Sequence, residues 1–136
     1  MARPQAAISN RELCDRVVRA YRPDGIDELI ALLHPEIEWA TREQWKEREV
    51  WSGHAGVRAG LERFFAEWAE FSNELEEFRD GGDRFAVVSR MCGVARRTGI
   101  TTEMRTSGVC EVRDGLIVRI VGHSDPDHAL QAVGGS

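Results

Sequence analysis

The sequence predicts an α+β domain in which helices come first and an antiparallel meander follows. Apolar residues recur at helical spacing up to Phe71, whereas from Glu74 onward the period is two. Asp114-Gly115 separates two long alternating runs, and a type I′ turn needs two residues tolerant of positive φ at that point. Residues 25–39 pass from a helical pattern directly into a strand-like one, so a helix tips straight into a sheet. Stacked in this order, three N-terminal helices cover the concave face of a curved, cone-shaped antiparallel sheet, and a short C-terminal helix ends the chain. The open end of such a cone is a natural place for a small-molecule pocket.

Residues 1–8 read as a loose tail. Ser9 and Glu12 match a capping box, the serine oxygen accepting from a first-turn N–H and the glutamate reaching back. The first helix then carries Leu13, Cys14, Val17, Val18 and Tyr21 on one face, and Pro23 with Gly25 closes it. Asp24 caps a second helix, where Ile26, Leu29, Ile30 and Leu33 fall at i, i+3, i+4 and i+7. His34-Pro35 stops it, because proline removes a backbone donor and disfavours the helical region at the residue before it. A strand over 37–41 follows. Residues 42–49 are charged, carry Trp45, with Trp51 just beyond, and read as a mobile loop rather than an element.

A turn over 52–56 leads into a third helix, whose stripe of Val57, Leu61, Phe64, Phe65, Trp68 and Phe71 is broad enough to cover a sheet. The meander reads as a short strand over 75–79, a turn at 81–83, a long strand over 85–96, a tight Thr98-Gly99 turn, a second long strand over 100–112 and a last strand over 116–124. Asp125 and Pro126 suit the N-cap and first position of a final helix bearing Ala129, Leu130 and Val133. Residues 9–134 are thus expected to form a single domain.

Composition excludes several classes. The formal net charge is −5 and no basic block gathers on one element, so nucleic acid is not an expected partner. Cys14, Cys92 and Cys110 are odd in number and widely spaced, which reads as small buried apolar residues in a reducing compartment rather than a disulfide framework. No apolar run approaches the length of a membrane span, and the N-terminus has no signal-peptide pattern. A cytoplasmic protein with no membrane partner is expected. His123, Asp125 and His128 match no common ligand spacing, and capping explains Asp125, so no metal and no cofactor is expected. Four tryptophans imply a large apolar site or interface.

Several stretches, in order, resemble the SnoaL-like branch of the nuclear transport factor 2-like superfamily. These are Ala20-Tyr21, residues 25–35, Ile37-Glu38-Trp39, residues 52–57 ahead of Phe64-Phe65, Gly82-Asp83-Arg84, residues 113–117 and Asp125-Pro126. The resemblance implies the cone fold, but the superfamily hosts isomerases, cyclases, hydrolases and binders. Its ketosteroid isomerases use an aspartate base and a tyrosine–aspartic acid oxyanion site. The positions matching those roles here are Thr41, Val17 and Ser107, so all three are vacant. For its limonene-epoxide hydrolases Arg90 matches the arginine, while the aspartates fall near Cys92 and at Gly122. The histidine and aspartate of its polyketide cyclases fall near Gly108 and at Gly122. None of these activities can be inherited directly.

With two-residue turns at Thr98-Gly99 and Asp114-Gly115, Arg90 falls opposite Ser107, and Ser107 opposite Gly122. Val88, Arg90, Cys92, Glu103, Arg105, Ser107, Val109, Ile120, Gly122 and Ser124 then share one face. Val87, Met91, Met104, Cys110, Val112, Ile117, Val121 and His123 share the other. The resemblance points to the first face as the pocket and leaves the second for a homodimer contact; the reverse assignment is the alternative. On the first assignment Arg90 anchors an oxygen, Glu103, raised by desolvation, moves a proton, and Ser107 hydrogen-bonds. Trp39, Thr41, Trp51, Trp68, Cys92, Arg105, Val109, Ile120 and Gly122 complete a ligand-binding wall, with Glu43 and Glu47 reaching in from the charged loop. The expected function is a pocket for a small, largely apolar molecule, acting as an acid/base isomerase, cyclase or hydrolase. The alternative is a non-catalytic ligand-binding or dimerisation module.

Overall fold

The Ser9 hydroxyl accepts a hydrogen bond of 3.0 Å from the Glu12 backbone N–H and starts helix α1 (Asn10–Ala20), as the capping pattern requires. The Glu12 side chain does not reach back to complete a box; it pairs with Arg16 at 2.6 Å. The computed structural model describes residues 8–41 and 49–133. Helix α2 (Ile26–Ile30) is a single short turn whose N-cap is Gly25, with no side-chain cap. Asp24 pairs instead with Arg22 at 2.9 Å.

The expected helix stop at His34-Pro35 lies inside a strand. Strand β1 runs Leu33–Ala40, and its ladder with the last strand lapses between Leu33 and Glu38. Pro35 sits in that lapse, where no ladder bond needs its missing N–H. A three-residue strand, β2 (Val50–Ser52), pairs with β1 from Glu38 onward, so Trp51 belongs to a strand that periodicity did not reveal. The loop expected over 42–49, with Trp45, Glu43 and Glu47, falls outside the described residues except for Glu49.

Helix α3 (Gly53–Ala66) ends five residues before Phe71, and Trp68 and Phe71 lie on strand β3 (Trp68–Asp80). A register shift between Trp68 and Glu70 lets them oppose Ala95 and Gly93, two positions on one face. A bulge therefore imitates helical spacing here. Strands β4 (Arg84–Ala95), β5 (Thr101–Arg113) and β6 (Leu116–His123) match the expected meander closely. Helix α4 (Pro126–Ala132) follows, with the Asp125 side chain accepting from the Asp127 N–H.

The six-stranded sheet has the order β2-β1-β6-β5-β4-β3. Every neighbouring pair is antiparallel except β1–β6, which is parallel. Asp114 and Gly115 have φ of 57° and 78°, the type I′ turn expected between β5 and β6. The β4–β5 connection is longer than two residues, closing with the Ala95 N–H on the Ile100 carbonyl at 2.9 Å. Arg90 consequently faces Arg105, and Ser107 faces Val88. That slip of two residues leaves the faces unchanged. A bulge between Glu111 and Val112 slips β6 by one, so Gly122 pairs with Gly108 and moves, with Ile120, to the opposite face from Ser107.

Helices α1–α3 cover one face of the sheet over a core that includes Leu13, Leu29, Ile37, Leu61, Phe85 and Ile117. Helix α4 lies on the other face, its Ala129 and Leu130 over Ala86, Val88 and Val109. Among the described residues, no helix is long and apolar enough to cross a membrane.

Candidate functional site

The face of the long strands bearing Val87, Met91, Met104 and Cys110 turns inward under α1–α3, because covering it buries apolar side chains, whereas the same stretch of the other face carries Arg90, Glu103 and Arg105. Val87, Ser89 and Met91 of β4, Met104, Thr106, Gly108 and Cys110 of β5, and Ile120 and Gly122 of β6 floor a cavity of about 130 Å³. Trp39, Thr41 and Trp51 form one wall, Asn73 belongs to the other, and Val17, Val18, Tyr21 and Phe64 roof it. Tyr21, at the end of α1, sits in an aromatic cage: ring centroids of Phe65, Phe71, Phe64 and Trp39 lie 5.2, 5.8, 5.9 and 6.1 Å away.

Two glycines make this packing possible. A Cβ at Gly60 of α3 would lie 2.8 Å from Trp51 Cε3 and closer still to the ring fusion atoms, so the indole lies directly on the helix backbone. A Cβ at Gly93 would meet Trp68 at 2.5 Å, so that indole lies flat on β4. Trp68 packs on Phe64 and Phe71 but does not border the cavity.

Among the described residues, every polar side chain bordering the cavity is uncharged, and most are used up by neighbours. The Ser89 and Thr106 hydroxyls bond to each other at 3.1 Å. The Thr41 hydroxyl accepts from the Glu49 N–H at 2.8 Å and donates to the Glu49 carbonyl at 3.2 Å. The Asn73 amide nitrogen donates to the Val18 carbonyl at 3.4 Å, and its Oδ1 is buried without a partner. Trp51 Nε1 is likewise buried and unpartnered. Burial raises the Tyr21 hydroxyl well above the usual phenol range. Burial, and then the neighbouring Cys14, raises the Cys110 thiol in the same sense. Both groups stay protonated and neutral near pH 7.

The structure brings five of the expected site residues together on the cavity: Trp39, Thr41, Trp51, Ile120 and Gly122. Ser107 also borders it, but its hydroxyl points to the other face and donates to the His123 carbonyl at 3.0 Å. The face assignment drawn from the resemblance is inverted for the charged residues. Arg90, Glu103 and Arg105 lie on the outer face, their side chains 51%, 61% and 54% exposed. Arg105 and Arg90 both bind Glu76, at 2.8 and 3.1 Å. The Glu76 carboxyl is held below the usual carboxylate range by the hydrogen bond from Arg105 first and then that from Arg90.

Glu103, expected to be desolvated, is thus a solvated member of a surface ion-pair cluster, 4.0 Å from Arg90. Cys92 shares that outer face, and Val109 is buried there under α4. The second face, expected at a homodimer contact, holds the cavity floor instead. Sequence reasoning missed Tyr21, Phe64 and Asn73 as pocket residues. Tyr21 was legible only as a core position of α1, and Asn73 lies on a stretch of β3 that the shortened strand left out.

A family model described as a SnoaL-like domain matches residues 14–120. Among solved structures, a nuclear transport factor 2-like protein of unknown function from Burkholderia pseudomallei K96243 is similar at TM-score 0.75 and 20% identity, covering 93% of this chain and 98% of that one. TerC, co-crystallised with polyporic acid, is similar at TM-score 0.73 and 20% identity, covering 93% and 98%. A protein with a ketosteroid isomerase-like fold from Catenulispora acidiphila DSM 44928, in complex with trimethylamine, is similar at TM-score 0.75 and 11% identity, covering 93% and 95%. At such identities these likenesses establish the fold. Among curated protein sequences none matches this chain.

Proposed function

Because this chain belongs to the SnoaL-like domain family, we propose that residues 9–134 act as one unit whose cavity binds a small, uncharged, largely apolar molecule. The observation that carries this reading is the wall itself: aromatic, aliphatic and thioether side chains, with only neutral polar groups among its described residues. Placing an unpaired charge in such a wall costs far more than placing a ring, so an ionised ligand is disfavoured there. Trp39, Trp51, Ile120 and the backbone at Gly122 contact the ligand, joined by Tyr21 and Phe64. A carrier or sensor fits this wall better than an acid/base catalyst, since among the described residues no carboxylate, imidazole or ammonium group borders the cavity.

A cytoplasmic location belongs to the same proposal, supported by three cysteines that form no disulfide with one another. A homodimer would use the outer face of β3–β5 rather than the apolar face first considered.

Native mass spectrometry against matched neutral and carboxylate ring compounds tests the reading. Neutral compounds are retained and their carboxylates are not, and Arg90→Ala binds as wild type does. Equal retention of the carboxylates, or loss of binding in Arg90→Ala, refutes it.

A further inference from the structure

Resting on that pocket reading, we propose that the ligand is a single flat aromatic ring. It lies face-down on the bare backbone where Gly108 of β5 pairs with Gly122 of β6, and this pair sets which rings the cavity accepts. Glycine inside a strand weakens it and often marks a place where another group comes close to the backbone. Neither Gly108 nor Gly122 has a positive φ, so no left-handed conformation calls for glycine at either position.

The fold already uses bare backbone as a seat for its own rings. A Cβ at Gly60 would meet Trp51 Cε3 at 2.8 Å, and one at Gly93 would meet Trp68 Cε3 at 2.5 Å, so each indole lies where a side chain would begin. Gly108 belongs to the same inward face as Gly93: its partner on β4 is Val87, an even number of residues from Gly93 along one regular strand. Over Gly108 the nearest neighbours are not a ring. Among the described residues, the atoms closest to a Cβ there are backbone, Val121 O at 3.1 Å and Gly122 Cα at 3.7 Å. Both glycines border the cavity.

The surroundings frame one ring. The pair is flanked along β5 by Thr106 and Cys110 and along β6 by Ile120. Across the sheet Val87 bounds it on one side, and Trp39, the partner of Ile120, on the other. Side chains on one face of a strand recur about every 7 Å, so two paired glycines open a depression about one ring wide. Tyr21 and Phe64 roof the cavity, and aromatic neighbours favour an aromatic guest through offset and edge-to-face contacts. At about 130 Å³ the cavity is close to the roughly 150 Å³ that holds a benzene ring in an apolar interior. A flat ring meets the peptide planes with its whole face, whereas a puckered ring touches them only through its axial hydrogens.

Benzyl alcohol and cyclohexylmethanol share one skeleton, are both neutral, and differ in whether the ring is flat. In calorimetry the wild-type protein is expected to bind benzyl alcohol about tenfold more tightly. Gly122→Ala puts a methyl group into the seat and is expected to bring that ratio near unity by weakening benzyl alcohol alone. Gly122 is chosen because a Cβ at Gly108 would press on the Val121 carbonyl oxygen. In wild-type protein with isotopically labelled glycine, ring-current shifts are expected at the Gly108 and Gly122 amides with benzyl alcohol and at neither with cyclohexylmethanol. Equal affinities in the wild type, a ratio kept in Gly122→Ala, or shifts confined to other glycines overturn the inference and leave the pocket reading standing. Binding of neither alcohol, with neutral ring compounds still retained in native mass spectrometry, also overturns the inference alone; retention of none of them overturns both. If Gly122→Ala does not fold, the affinity ratio and the glycine shifts of the wild-type protein decide.

Discussion

Replacing Gly60 by alanine sets two effects of known sign against each other. In the interior of α3 alanine is favoured over glycine by about 1 kcal/mol, because glycine loses more backbone freedom on folding. The new Cβ, however, lands against the Trp51 indole, 2.8 Å from Cε3 and nearer to the ring-fusion atoms. Those atoms belong to a rigid, buried ring that cannot bend aside like the end of a flexible chain. Overpacking of this kind costs about 1–3 kcal/mol, more than the helical gain at most of its range. A net loss of up to about 2 kcal/mol is expected, with the indole pushed toward the cavity and ligand affinity reduced. Gly56, on the same helix, is the control: its Cβ would meet nothing nearer than the Trp51 carbonyl carbon at 3.7 Å. Gly56→Ala therefore stabilises by about 0.5–1 kcal/mol. Urea unfolding followed by far-UV circular dichroism reads both variants without relying on tryptophan emission. If Gly60→Ala proves as stable as Gly56→Ala, the close seating of Trp51 on α3 is wrong.

Alkaline pH should weaken the fold early. Burial pushes the Cys14 thiol up to about 12 and the Cys110 thiol up as well, both from an ordinary 9.0. A raised group keeps its full contribution below its unfolded value and loses it as pH climbs past that value toward the folded one. Stability should thus hold to about pH 8 and fall by about 3 kcal/mol by pH 10 from the two thiols together, which urea midpoints at each pH would show; a flat profile would contradict their burial. Asp125→Ala removes the bond to the Asp127 N–H at 2.9 Å and should cost about 1 kcal/mol, with hydrogen exchange quickening in α4. Unchanged exchange there would mean that Pro126 suffices to start the helix.

Local chemistry was legible wherever one short motif decides the backbone. Ser9 starts α1, Asp125-Pro126 starts α4 and Asp114-Gly115 turns β5 into β6, because each acts within its own four residues. Features that depend on distant pairing were not. Trp68 and Phe71 are three apart and looked helical, and only the register of β3 against β4 reveals the bulge that aligns them. Pro35 looked like a helix stop, and only the lapse in the β1–β6 ladder makes it tolerable in a strand. For the site, alternation correctly separated an apolar face from a charged one on β4 and β5. The resemblance then put the charged face inside, whereas the cost of covering Arg90 and Arg105 with helices alone argued the reverse. Ile120 and Gly122 reached the cavity through a one-residue bulge that no turn motif announces.

The parallel pairing of β1 with β6 gives the molecule an order in time. Trp39 lies beside Ile120, so the middle of the sheet is stitched from segments made near the beginning and near the end of synthesis. Within the sheet, the β1–β2 hairpin and the β3–β4–β5 meander are joined only through β6, the strand synthesised last. Strand β6 is the keystone that enters between them, and its late arrival makes the closing contacts non-local and slow. Removing residues from 116 onward would take away the strand that joins β1 to β5 and leave both of those edges unpaired.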